Sequence, residues 1–130
     1  MVDYMRLDTT VERVRVTATR GKRAELQCRS PTPPPLPGTS TVVAEWKFSR
    51  SEGGRTSRVA LNRYVMLRYQ RRFALKSSNV SDDEAEIDFS LVIRAASRRD
   101  VGVYVCVVSD DRTFELRRFV HLDVVGSCII

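Results

Sequence analysis

The chain has 130 residues, a length that suits one hydrophobic core and leaves no room for a second. Hydrophobic residues make up 42% of it and charged residues 29%, ordinary values for a globular domain that exclude disorder of the whole chain. It carries 22 basic against 16 acidic residues, has no apolar run of membrane-spanning length, and lacks an apolar signal segment over residues 1–6.

The first thirty residues predict two strands separated by a turn. Residues 7–18 are predicted to form the first edge strand, in which Val14, Val16 and Ala18 alternate with Arg13, Arg15 and Thr17. Gly21 marks a turn, and after it Ala24, Leu26 and Cys28 alternate with polar neighbours. This period of two is typical of a half-buried antiparallel strand.

A proline-rich loop over residues 30–38 separates these strands from the next one. Proline cannot donate to a strand ladder, so this segment must leave the sheet and stiffen toward polyproline II. A stiff loop loses little entropy on binding, and this favours a role as a contact loop. The alternative is an inert connection, because loops vary freely. The strand that follows, residues 42–48, turns three alternate side chains inward: Ala44, Trp46 and Phe48.

The rest of the chain predicts short strands followed by two longer ones. The candidate short strands are residues 58–61, 64–67, 73–75 and 87–93. In the last of these a core face is predicted by alternation: Ile87, Phe89, Leu91 and Ile93. A helical turn over residues 94–99, a strand through Cys106, a polar loop over 109–113 and a strand from about Phe114 to Val125 complete the chain.

One motif relates distant parts of the chain: Asp100-Val-Gly-Val-Tyr-Val-Cys106, together with Cys28 and Trp46. Two cysteines 78 residues apart, a tryptophan between them and a tyrosine two positions before the second cysteine form the pattern of an immunoglobulin β-sandwich. The 58 residues from Trp46 to Tyr104 leave room for the extra strands of the variable type. The chain therefore resembles a V-set immunoglobulin domain, an all-β Greek-key fold of about nine strands in two antiparallel sheets.

The resemblance implies a structural role for each residue of this pattern. Cys28 and Cys106 would form a disulfide that joins the two sheets through the core, with Trp46 packed against it. Tyr104 would turn its hydroxyl back to a backbone group upstream. Asp100 would pair with Arg72, which directly precedes the predicted strand 73–75.

The resemblance also implies where the protein works. A structural disulfide requires an oxidising compartment, so we expect an extracellular or cell-surface location, with a domain over residues 1–125 and a tail or stalk over 126–130. Any signal peptide or membrane anchor would lie outside this chain. Antigen-receptor variable domains carry Phe-Gly-x-Gly in their last strand, and this chain lacks that motif. It is more similar to adhesion or immune-receptor ectodomains, or to invertebrate V-type domains.

The strand through Cys106 carries valines on the face opposite to Tyr104 and Cys106. We expect Val103, Val105 and Val107 to face outward, although strands with one solvated face usually alternate polar and apolar residues. The resemblance places this strand between two others in one sheet, so an outward partner-binding face is predicted. Its members are Val43, Glu45, Lys47, Val105, Val107, Phe119 and His121. The alternative is that single exposed valines are common in strands.

Two further features bear on assembly and modification. Cys128 is a third cysteine, placed after Gly126 and Ser127, so it either links two copies of a homodimer or serves as a stalk or free thiol. Asn79 begins an Asn-Val-Ser sequon and is a candidate N-glycosylation site.

Arginine is concentrated between residues 50 and 72, a segment that contains seven arginines and one acidic residue. Five of them form a predicted edge for an anionic glycan or acidic ligand: Arg50, Arg55, Arg58, Arg63 and Arg68. The alternative is an edge that carries charge to block aggregation. Nucleic acid is not expected, because no aromatic residues are interleaved for base stacking and the compartment is oxidising.

No catalytic, metal or cofactor site is predicted. The single histidine, His121, has no nucleophile at a meaningful spacing, and the cysteines lack the spacing of metal ligands. The sequence therefore predicts a non-enzymatic recognition domain that pairs with another immunoglobulin domain, most simply with itself. The competing hypothesis is a soluble binder of anionic glycans.

Overall fold

The computed structural model describes residues 8–31, 42–76, 86–110 and 114–126. The strands within these ranges are β1 (Asp8–Thr19), β2 (Ala24–Leu26), β3 (Arg29–Pro31), β4 (Val42–Ser49), β5 (Thr56–Leu61), β6 (Tyr64–Val65), β7 (Phe73–Leu75), β8 (Glu86–Asp88), β9 (Leu91–Ile93), β10 (Gly102–Asp110) and β11 (Phe114–Val125). Two 3₁₀ turns accompany them, Leu67–Tyr69 and Arg98–Asp100. No helix in these ranges is long and apolar enough to cross a membrane.

The strands form two packed layers. One layer is a six-stranded sheet in the order β1-β11-β10-β4-β5-β6. The other holds the three-stranded sheet β2-β9-β7, and the pair β3-β8 continues β2 and β9 past a hydrogen bond from the Phe89 amide to the Cys28 carbonyl (2.8 Å). Counted in this way the described part has nine strands, so the predicted variable-type immunoglobulin sandwich is confirmed.

The first and last strands pair with each other. β1 runs parallel to β11 over twelve residue pairs, from Asp8 beside Phe114 to Thr19 beside Val125. The other strand pairs that the structure describes are antiparallel. β1 therefore forms one edge of the larger sheet and β6 forms the other.

The core lies between the layers and is organised by the predicted disulfide. Cys28 and Cys106 are bonded and fully buried, which confirms that pairing. Trp46, also fully buried, donates its indole N–H to the Phe89 carbonyl oxygen at 2.6 Å. Leu91 is buried in the same cluster. Apolar side chains at alternate positions fill the interior because each strand turns one face toward the other layer.

The chain is fixed at the corner before β10 by a hydrogen-bonded cluster. Arg72 binds the Asp100 carboxylate with both terminal nitrogens, the longer bond being 2.8 Å, and the Ser97 amide donates to the same carboxylate at 2.8 Å. The Tyr104 hydroxyl donates to the Asp100 carbonyl oxygen at 2.8 Å. Burial raises the pKa of Tyr104 well above its usual value.

Gly102 lies where this corner meets β4. Its φ is 155°, and a Cβ atom there would lie 2.5 Å from the Ser49 carbonyl oxygen and 2.7 Å from the Phe48 ring. The close approach of two backbones requires glycine at this position.

Several element limits differ from those predicted. The strand expected over residues 64–67 ends at Val65, because the 3₁₀ turn begins at Leu67. The strand expected over 87–93 is interrupted at Phe89 and Ser90, where the Ser90 hydroxyl donates to Asp88 (2.6 Å) and accepts from the Cys28 amide (3.1 Å). Strand β10 continues to Asp110, so Ser109 and Asp110 belong to it and not to the expected loop.

Three of the predicted features lie outside the described residues. They are residues 32–38 of the proline-rich loop, the sequon at Asn79 and the third cysteine, Cys128. Ser30 and Pro31, which were expected in that loop, belong instead to β3 and pair with β8.

Candidate partner-binding face

Strand register brings the predicted face residues together. β10 is hydrogen-bonded to β11 on one side and to β4 on the other. Phe119, Val105 and Lys47 form one row across the three strands. Two further rows flank it, Arg117-Val107-Glu45 on one side and His121-Val103-Ser49 on the other. These three rows and Val43 lie on the side of β4, β10 and β11 that points away from the other layer. We call this surface the outward face.

The centre of the outward face is apolar. Val105, Val107 and Phe119 are each partly exposed, whereas Tyr104 and Cys106, which alternate with the valines along β10, are buried in the core. Val43 lies at the end of the face and is 41% exposed. Side-chain alternation along β10 therefore places adjacent apolar groups on the side away from the core.

The turn between β4 and β5 covers one end of the outward face. Glu52, in the turn between β4 and β5, forms an ion pair with Arg13 on β1 and lies 3.4 Å from His121 on β11. The Arg13 guanidinium also lies 4.6 Å from the centre of the Phe119 ring, which is a cation–π contact. The hydrogen bond from Arg13 is the main cause that lowers the pKa of Glu52.

This turn explains a residue that alternation alone misplaced. Val103 was expected to be exposed on the outward side, but it is only 5% exposed. It lies in the row of His121 and Ser49 and lines a shallow groove together with Arg50 and Glu52. The exposed apolar area of the outward face is therefore centred on Val105 and Val107.

Charged side chains at the other margins of the face are also paired. Glu45 binds Arg58 and lies 3.7 Å from the Lys47 ammonium. Arg117 on β11 pairs with Glu115 at 3.2 Å. The outward face thus combines an apolar centre with a margin of charges of both signs.

Sequence reasoning missed three residues of this margin, Arg13, Glu52 and Arg117. The alternation of residues 13–18 does place Arg13 opposite to the core side chains. However, nothing in that pattern shows that β1 pairs with β11 and so brings Arg13 beside Phe119.

The predicted arginine edge is distributed over the turn before β5, strand β5 itself and the segment after it. Arg58 is bound to Glu45, and Arg50 approaches the Arg99 carbonyl oxygen at 3.4 Å. The Arg68 guanidinium lies 5.2 Å from the centre of the Tyr69 ring. Arg55 and Arg63 are exposed and form no ion pair within the described ranges. The five arginines are therefore not equally available to a ligand.

Comparison with known proteins agrees with this architecture. A family model for the immunoglobulin V-set domain matches residues 10–125. No curated protein matches the chain. A solved structure from a study of multimeric cell-adhesive interactions of VGSC beta subunits is 20% identical, covering 87% of this chain and 92% of that one, with a TM-score of 0.60.

A second solved structure, the RIG-5 IG1 homodimer, is 15% identical. The match covers 85% of this chain and 88% of that one, with a TM-score of 0.59. At these identities the two likenesses show the fold alone.

Proposed function

Because this chain belongs to the immunoglobulin V-set family, we propose that it is a recognition domain of a cell-surface or secreted receptor and pairs with a second copy through the outward face. V-set domains are in general non-enzymatic, and they are typically extracellular or on the cell surface. The recognition domain covers residues 1–125, and residues 126–130 form a tail.

The observation that carries the proposal is the apolar centre at Val105, Val107 and Phe119, surrounded by paired charges. An interface usually has this composition, with an apolar core and a polar rim. In a soluble monomer the corresponding strand would carry polar residues on its solvated face. The side chains of β10 therefore favour a face that is covered by a partner.

A second copy is the partner that the charges favour. In a two-fold dimer the same surface is presented by both subunits, so each charge on one copy must meet a complementary charge on the other. The margin of the outward face contains both signs, with Glu45 and Glu52 near Lys47 and Arg13. Such a face can complement itself, whereas a face of one sign could not.

The two similar structures are consistent with this mode of action. One is described as a homodimer, and the other comes from work on multimeric cell-adhesive interactions. These descriptions apply to those proteins, and we extend them to this chain as part of the proposal.

The dimer is tested by its dissociation constant, measured by sedimentation equilibrium of the full chain. Val105→Glu places a carboxylate at the centre of the face, where it would lose its water on association. We expect the dissociation constant to rise at least about thirtyfold, the effect typical of an interface hot spot. Gln27→Glu is the matched control, because it also adds one negative charge and Gln27 is exposed between β2 and β3 in the other layer.

A monomeric wild-type chain at all concentrations, or equal weakening by Val105→Glu and Gln27→Glu, would contradict the proposal. Circular dichroism melts of both variants establish that they are folded.

We also propose that Cys128 links the two subunits. It lies three residues beyond the end of β11, and a two-fold axis can bring two such tails together. Non-reducing electrophoresis should show a dimer band that Cys128→Ser removes. A monomer band for the oxidised wild type would contradict the covalent link, while sedimentation separately tests the non-covalent pairing.

A further inference from the structure

A second exposed surface lies at the β6 edge of the six-stranded sheet, the edge farther from β1. Tyr64 on β6 is 74% exposed, and Leu67 at the start of the 3₁₀ turn is 84% exposed. These are the largest exposures among the large hydrophobic residues that the structure describes. β6 pairs with β5 through only two residues, and the chain then turns through hydrogen bonds from the Met66 amide to Val59 (2.8 Å) and from the Tyr69 amide to Met66 (2.8 Å).

The charged residues of this stretch of the chain are all positive. Residues 53–76 contain seven basic residues and no acid. Three of the seven are paired with carboxylates from other elements: Arg58 with Glu45, Arg72 with Asp100, and Lys76 with Glu25 and Asp88. The other four form no ion pair in the part of the chain that is described: Arg55, Arg63, Arg68 and Arg71.

We propose that residues 63–71 form a second binding edge, whose partner is a protein surface with Asp or Glu side chains around an apolar pocket. The segment reads Arg-Tyr-Val-Met-Leu-Arg-Tyr-Gln-Arg. Interface cores are enriched in aromatic residues, methionine and arginine and depleted in lysine and acidic residues, and this segment has that composition. The guanidinium groups bind carboxylates in a two-pronged geometry.

The two projecting side chains distinguish a protein partner from a plain polyanion. A sulfated glycan would be held by the arginines and would leave Leu67 in water. A protein pocket can bury both Leu67 and Tyr64 while its acidic rim meets the arginines. The edge is also distinct from the outward face, because β5 separates β6 from β4.

The experiment uses the full chain and four defined probes: a random copolymer of glutamate and tyrosine, polyglutamate of similar length, heparin, and phosphatidylcholine vesicles containing phosphatidylserine. Binding is measured by fluorescence anisotropy at two salt concentrations. We expect the copolymer to bind at least about tenfold more tightly than polyglutamate, because tyrosine side chains supply apolar contacts that glutamate lacks. Tyr64→Ser combined with Leu67→Ser should remove this advantage and leave polyglutamate binding unchanged.

Replacement of Arg63 and Arg68 by glutamine should weaken the binding of both polypeptides and reduce its salt dependence. The matched controls are Val125→Ser, an exposed apolar residue on β11, and the exchange of the exposed Arg23 and Arg94 for glutamine. These controls should bind the copolymer like the wild type.

Three outcomes would overturn the proposal. The first is a copolymer affinity no higher than that for polyglutamate, and the second is an advantage that survives the Tyr64 and Leu67 changes. The third is tighter binding to heparin, or to phosphatidylcholine vesicles containing phosphatidylserine, than to the copolymer, which would assign the edge to a glycan or to a membrane.

Discussion

Replacement of Arg72 by methionine should destabilise the domain more than any change at the neighbouring arginines. The Asp100 side chain is 3% exposed and accepts two hydrogen bonds from Arg72 and one from the Ser97 amide. Methionine keeps an unbranched stem but removes both charged donors. The carboxylate would then be buried with a single neutral donor.

The expected size of the effect follows from this geometry. Removal of one partner of a buried ion pair costs about 3–5 kcal/mol, because the other charge is left uncompensated. The Arg72 side chain is 31% exposed, so water can reach part of the vacated site and the lower end of that range applies. We expect a loss of about 3 kcal/mol in the free energy of unfolding, or about 10 °C in melting temperature for a domain of this size.

Urea denaturation followed by circular dichroism measures the loss, and a double-mutant cycle with Asp100→Asn isolates the pair. The double variant should be more stable than the sum of the single effects predicts, by about 2 kcal/mol, because it contains no buried unpaired charge. Arg71→Met is the control and should change stability by less than about 0.5 kcal/mol. A cost below about 1 kcal/mol for Arg72→Met, or strict additivity in the cycle, would refute the reasoning.

Three other changes test the interior. The raised pKa of Tyr104 means that above about pH 10 the unfolded state loses a phenolic proton that the folded state keeps. Stability should therefore fall as pH rises through that region, and urea melts of Tyr104→Phe should show a shallower fall; an unchanged slope would contradict the assignment. Gly102→Ala should lower the free energy of unfolding by about 3 kcal/mol or more in thermal melts, because the new methyl group would clash with the Ser49 carbonyl oxygen. A near-neutral result would mean that the two strands separate easily. The exchange of Cys28 and Cys106 for alanine should lower the free energy of unfolding, measured by urea denaturation, by up to about 4 kcal/mol. No loss of stability would show that closing this loop with a disulfide contributes little.

The parts of the fold that could be predicted from the sequence are those fixed by single residues with specific partners. Cys28, Trp46 and the segment from Asp100 to Cys106 identify which strands must face each other across the core. The strand predicted from about Phe114 to Val125 is found with these limits, and its inward side chains Val120, Leu122 and Val124 are buried. In such cases a few side chains with specific partners determine which strands pack together. The exact course of the loops between those strands has little influence on that packing.

Features that depend on the path of a turn could not be predicted. The contact between Arg13 and Glu52 joins residues 39 positions apart, and it exists because the β4–β5 turn lies across the outward side of the sheet. The buried Val103 lines a groove together with residues of the same turn. The exposure of Leu67 likewise depends on a 3₁₀ turn that replaces the expected strand. Alternation describes which side of a strand a residue occupies, but not what another segment places over it.

The pairing of the first strand with the last sets the order in which the sheet can form during synthesis. Glu12 and Arg118, which form an ion pair across β1 and β11, are 106 residues apart. Because the ribosome releases the chain from its N-terminus, β1 waits for nearly the whole chain before its partner strand emerges. During that interval β1 lacks its partner strand, and β10, once it has emerged, also presents an unpaired edge on which other chains can add. Nascent chains arrested before β11 should therefore depend on chaperones far more than the finished domain does.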